Sequence, residues 1–134
     1  MTMKKYLRAG AAVFVILFVG DFLVHGILLK RAYQATASLW RPMPALRQLL
    51  WTMWVLYLVN ALVLPYIYAK GHEAGKGPVG QGLRFGGAIG LLMASGMSLG
   101  TYYMIAIPAS MALVWFVTGL IEFVLAGIAI ALIY

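Results

Sequence analysis

Asp21, His25 and Glu122 are the residues of this chain best suited to chemistry, because each interrupts an otherwise apolar run. Asp21 and His25 fall within VFVILFVGDFLVHGILLK, residues 13–30. Four positions apart, they stack on one face if this run is an α-helix. Glu122 lies midway along 109–134, the most apolar stretch of the chain. A carboxylate near the centre of a membrane-spanning helix costs roughly 2.5–3.5 kcal/mol on insertion scales, so it faces protein and takes a partner. Three roles fit such a set. Two acids and an imidazole relay protons; they also have the ligand types for a divalent metal; or they form a polar lock that fixes helix register through interhelical hydrogen bonds of about 0.6 kcal/mol each. No spacing motif selects among the three.

The elements that must position these groups follow from composition. Of 134 residues, 64% are hydrophobic and only 10% charged, whereas soluble domains run near one quarter charged. The expectation is an all-α integral membrane protein, a bundle of four transmembrane helices in a single domain over 1–134. The apolar runs cover about 6–29, 49–69, 83–105 and 109–134. Each is long enough for a hydrocarbon core of roughly 30 Å at about 1.5 Å per residue. They are continuous rather than alternating, which argues against a barrel. Lys4, Lys5 and Arg8 before the first run, with Ala35-Thr36-Ala37 after it, imitate a signal peptide, but the run is about 20 residues long and carries Asp21, so a span is expected instead.

At this spacing all four spans place a polar side chain at a similar depth: Asp21 and His25, Asn60, Ser95 and Ser98, and Glu122. The expectation is a bundle interior that collects Asp21, His25, Asn60, Ser98 and Glu122. Gly119 and Ala126 flank Glu122 on one helix face, and Gly20 and Gly26 lie near Asp21, so both acids can be presented at a close helix contact. In the third span Gly82, Gly86 and Gly90 recur every four residues, as do Gly96 and Gly100. That stripe predicts tight helix packing and carries no chemistry. A short uncharged turn before Pro108 makes the third and fourth spans a hairpin.

The surface connector 30–48 holds Tyr33, Pro42, Pro44 and four bases. It reads equally as a short amphipathic helix over 32–40 or as a plain loop. Arg31, Trp40, Arg41 and Arg47 are candidates for lipid headgroups or a partner. Pro65 is expected to kink or end the second span. The stretch KGHEAGKGPVGQ, 70–81, is a Gly-rich turn with no phosphate-loop ending, and His72 with Glu73 reads as a solvated pair. Six bases on the side of the N-terminus and second connector, against four in the first connector, favour cytoplasmic termini.

The net charge of +7 belongs to bases flanking apolar runs, so lipid headgroups rather than nucleic acid are the expected partners. With no cysteine, thiolate metal sites, Cys-ligated clusters and c-type haem are excluded. No cofactor is expected, and no nucleophile–base pair, zinc motif or dinucleotide fingerprint appears.

The run GDFLVHGILL, followed by Tyr33 and Trp40-Arg41-Pro42, and a GxxxG third span followed by Pro108, Trp115, Glu122 and Gly127, together resemble small bacterial four-helix membrane proteins in families labelled as domains of unknown function. The resemblance implies a bundle of this kind and no activity. The functional expectation is a structural or accessory subunit in a bacterial inner membrane. It belongs to a homo-oligomer or to a larger complex of respiratory or photosynthetic type. The alternative is a small proton- or cation-coupled transporter or channel that uses Asp21 and Glu122. An enzyme ranks third.

Overall fold

A capping threonine opens the first helix, and prolines stand at the starts of three of the others. In the computed structural model, which describes residues 1–134, the Thr2 hydroxyl accepts from the Lys5 N–H and opens α1, Met3–Asp21. The chain then widens into a π-helix, Phe22–Leu28. Two short pieces follow, α2 (Lys30–Ala35) and a 3-10 turn (Ala37–Leu39). Pro42 then caps α3, Met43–Gln48. Three long helices complete the chain: α4 (Leu50–Gly71), α5 (Pro78–Met104) and α6 (Ala109–Ile133). There is no strand. Met3–Leu28, α4, α5 and α6 are each long and apolar enough to cross a membrane. The first connector is thus neither one amphipathic helix nor a plain loop, since the prolines divide it into short helical pieces.

α1 lies between α4 and α6, and α5 packs along α6. α4 and α5 meet through Tyr68 and Phe85, whose ring centroids are 5.4 Å apart. The buried core joins Val13, Leu17, Leu64, Ala126 and Ile130 from α1, α4 and α6. A second apolar cluster, Val24, Leu29, Ile107, Met111 and Trp115, lies at the end that carries the first connector.

Two close approaches hold the frame. A Cβ on Gly82 would lie 2.6 Å from the Ile128 Cα, and one on Gly127 would lie 2.5 Å from the Gly82 carbonyl oxygen. Gly86 and Gly90 meet the same face of α6. The expected five-glycine stripe is therefore shorter: Gly96 and Gly100 have open space where a side chain would go. Ser98 explains how that end is held instead, since its hydroxyl donates to the Ala112 carbonyl at 2.5 Å.

The second approach involves Pro65. α4 runs through it to Gly71 rather than ending there. Proline has no N–H, so the Ala61 carbonyl loses its helical donor. Gly10 lets α1 close over that carbonyl, at 2.7 Å from where a Cβ would stand. The Tyr6 hydroxyl donates to the neighbouring Leu62 carbonyl.

Between α4 and α5, Gly75 takes a φ of +83°, a conformation that favours glycine. α5 starts at Pro78 rather than near Leu83, because buried Gln81 ties the turn. Its side chain accepts from the Glu73 N–H (2.8 Å) and donates to the Lys76 carbonyl (3.0 Å). Glu73 does not pair with His72. Its carboxylate takes Lys76 and Arg84, while the His72 ring lies against Tyr134 at 4.2 Å.

Two predictions follow from these contacts. Gly82→Leu and Gly127→Leu force backbone apart and should each lower stability by about 1–3 kcal/mol, read by denaturant unfolding in mixed micelles. Gly96→Leu should stay within about 0.5 kcal/mol; an equal loss there would mean that a different surface holds α5. For the turn, hydrogen bonds from Lys76 and then Arg84 hold the Glu73 carboxyl below its ordinary value. A lowered folded value contributes stability above the unfolded pKa and loses it as pH falls through the folded one. Amide protection factors around Gly75, the exchange rates corrected for the intrinsic pH dependence, should therefore stay high across the ordinary carboxylate range and fall only at lower pH. In Glu73→Gln protection should be low and independent of pH.

Candidate functional site

Glu122 is the most deeply placed acid, 9% exposed in the middle of α6. Its carboxyl group fills the space a side chain on Gly20 would take, with Cδ and Oε1 both 2.8 Å from that Cβ position. Gly20 directly precedes Asp21, so the two carboxyls come together where α1 meets α6. The Tyr57 hydroxyl, from α4, donates to Asp21 Oδ2 at 2.9 Å. His25 stands on the other side of Asp21, its Nε2 3.7 Å from Oδ1. The Tyr33 hydroxyl in α2 meets His25 Nδ1 at 2.6 Å.

Local sequence accounts for this geometry. Asp21 is the last residue of α1, and His25 and Gly26 lie inside the π-helix. π-turns are rare and concentrate at functional sites. The wider turn ends at Leu29, whose N–H donates to the Val24 carbonyl at 2.8 Å. There the chain bends, which lets Tyr33 reach back to His25. Aromatic rings lock the bend: Trp115 lies 5.9 Å from His25 and 5.9 Å from Trp40, and Trp40 lies 5.4 Å from Tyr33. The Trp40 indole N–H donates to Thr36 Oγ1 at 2.9 Å. The Trp115 indole N–H, also buried, has no acceptor. Burial pushes the Tyr33 phenol up to about 12, so the hydroxyl keeps its proton through neutral and mildly alkaline pH.

Of the residues expected to converge, the structure brings together Asp21, His25 and Glu122. Asn60 stands apart, its amide donating to the Leu56 carbonyl of its own helix at 2.9 Å. Tyr57, three residues earlier, takes the position by Asp21 because its longer side chain spans the gap between α4 and α1. Ser95 bonds the Leu92 carbonyl of its own helix and Ser98 bonds α6 backbone, so α5 brings no group to the acids. Gly26 has only Phe22 of its own turn nearby, whereas Gly20 makes room for Glu122. Trp40 packs inside the connector, while Arg31, Arg41 and Arg47 are exposed and pair with no acid. Spacing along the chain does not mark Tyr33 and Trp115 as site residues, because their contacts with His25 depend on the turn at Leu29.

No Lys or Arg reaches either acid; His25 is the only basic side chain beside them. No three His, Asp or Glu side chains converge closely enough to hold a metal ion. The geometry suits proton exchange among two carboxyls, an imidazole and two phenols. Comparison with protein families, with characterised proteins and with solved structures finds no match to this chain.

The Tyr57 contact yields a test. In a double-mutant cycle of unfolding free energies, Tyr57→Phe and Asp21→Asn should couple by about 0.6–1.7 kcal/mol, the range for interhelical hydrogen bonds. Asn60→Leu should not couple to Asp21→Asn.

Proposed function

We propose that the chain is an integral membrane protein of a bacterial inner membrane, a four-helix bundle with both termini cytoplasmic. We propose further that it serves as a small structural or accessory subunit, within a homo-oligomer or a larger membrane complex of respiratory or photosynthetic type. The observation that carries this reading is the incomplete cover of the site: the Asp21 side chain is 26% exposed and that of His25 39%, among long apolar helices. Against lipid such exposure is costly, and a second protein surface removes the cost. The open glycines Gly96 and Gly100, with exposed Leu92, Met97 and Leu99 beside them, support close approach of another helix. Exposed Arg31, Arg41 and Arg47 supply charge for headgroups or for a partner's acids. The likeness to small four-helix membrane proteins of unknown function and the six-to-four distribution of bases support the same placement.

Purification in mild detergent, with native mass spectrometry and cross-linking in the membrane beforehand, should recover an oligomer or a defined complex. Recovery only as a monomer, before and after cross-linking, would overturn the subunit reading. One observation favours a second reading, the proton- or cation-coupled transporter. With no Lys or Arg beside Asp21 and Glu122, charge balance there calls for a protonated His25, a bound proton or a bound cation. On that reading, reconstituted protein should carry a pH-dependent flux that Asp21→Asn with Glu122→Gln abolishes.

A further inference from the structure

We propose that Asp21 and Glu122 form a proton-binding site loaded from one side only, the side of the first connector, through Tyr33 and His25. The inference does not depend on the subunit reading. Glu122 is nine-tenths buried, and its one hydrogen-bonding neighbour is the Asp21 carboxyl; no N–H, phenol or alcohol hydroxyl donates to it. A buried carboxyl without a donor or a cation is strongly disfavoured as an anion, and its neighbour is a second carboxyl with one donor, Tyr57.

A hydrogen-bonded route leads from this pair to the connector. Tyr33 donates to Nδ1 of His25, an assignment that leaves the neutral ring's proton on Nε2, facing Asp21. Loading conserves protons at each step. Water on the connector side gives a proton to the Tyr33 oxygen as Tyr33 passes its own to Nδ1. His25 then releases the Nε2 proton to Asp21 Oδ1, across a gap of 3.7 Å that ring rotation closes. The incoming proton ends shared between Asp21 and Glu122, and His25, now carrying its one proton on Nδ1, returns to its starting arrangement by ring rotation. The buried Trp115 N–H beside the two rings adds a polar atom along the route.

In the other direction the route stops. Beyond Glu122, toward the N-terminal end of α1, lie Leu17, Val13, Leu64, Ala126 and Ile130, all buried and apolar, and the buried Tyr68 hydroxyl in that core has no hydrogen-bond partner to carry a proton onward. The titratable groups facing the site are Asp21 from α1, His25 from the π-helix, Tyr33 from α2, Tyr57 from α4 and Glu122 from α6; α5 contributes none. The site therefore stores a proton and does not conduct one across the bundle.

The test uses the full chain in nanodiscs and in sealed liposomes. Infrared difference spectra should show a protonated-carboxyl band that grows as pH falls and is lost in Glu122→Gln. Tyr33→Phe should leave the equilibrium titration in place but slow loading after a pH jump by roughly tenfold or more. Circular dichroism of both variants should match the parent, which separates loss of the site from loss of the fold. Liposomes should show no protein-dependent proton leak. A carboxyl band indifferent to Glu122→Gln, unchanged loading in Tyr33→Phe, or a leak abolished by Glu122→Gln would overturn the proposal. So would displacement of the titration by Na⁺, which would assign the site to a metal cation. Loading is read whatever the oligomeric state, so a monomeric protein that still loads would sink the subunit reading alone.

Discussion

The contact between Glu122 and Gly20 is the constraint on which the structure turns. An acid in the middle of the most apolar helix must lie against protein, and α6 can bring it to α1 only where α1 has no side chain. Any larger residue at position 20 would collide with the carboxyl, because a Cβ there already stands 2.8 Å from it. Once α1 and α6 are joined at that level, Asp21 follows Gly20 into the same space. Tyr57 is then the group of α4 long enough to reach it. The relative depth of three helices is thus set by one missing side chain.

The rest of the frame protects this junction from both directions. On one side, glycines on α5 and α6 let backbone meet backbone. On the other, Gly10 lets α1 close over the Ala61 carbonyl that Pro65 deprives of its helical donor, and the Tyr6 hydroxyl donates to the next carbonyl, Leu62. The two ends of the molecule differ as a result. Toward the N-terminal end the helices close on an apolar core. Toward the first connector, the π-helix and the bend at Leu29 replace regular packing with a cluster of His25, Tyr33, Trp40 and Trp115. Polar contact between the acids and the surface exists only at this second end.

Much of the candidate site is legible in the sequence. Asp21, His25 and Glu122 stood out because ionisable groups are rare in apolar runs, and Gly20 because small residues mark close contacts. Equal depth, however, does not bring polar residues together. Asn60 has the right depth and the wrong rotation, and its amide bonds its own helix. Ser98 has the right depth and a nearer acceptor in the α6 backbone. Gly96 and Gly100 continue the spacing of Gly82, Gly86 and Gly90, yet no neighbour comes close enough to use them.

By itself the sequence determined the four long apolar helices, their order, the hairpin between the last two and the identity of the ionisable groups within them. These depend on local chemistry: hydrophobicity, caps, breakers and the rarity of charge. Tertiary structure decided which faces meet, that Tyr57 rather than Asn60 bonds Asp21, and that Tyr33 folds back on His25. Those outcomes depend on helix rotation and on a π-turn that breaks the regular angular step. Neither is encoded in spacing along the chain, because each is set by what the neighbouring helices leave room for.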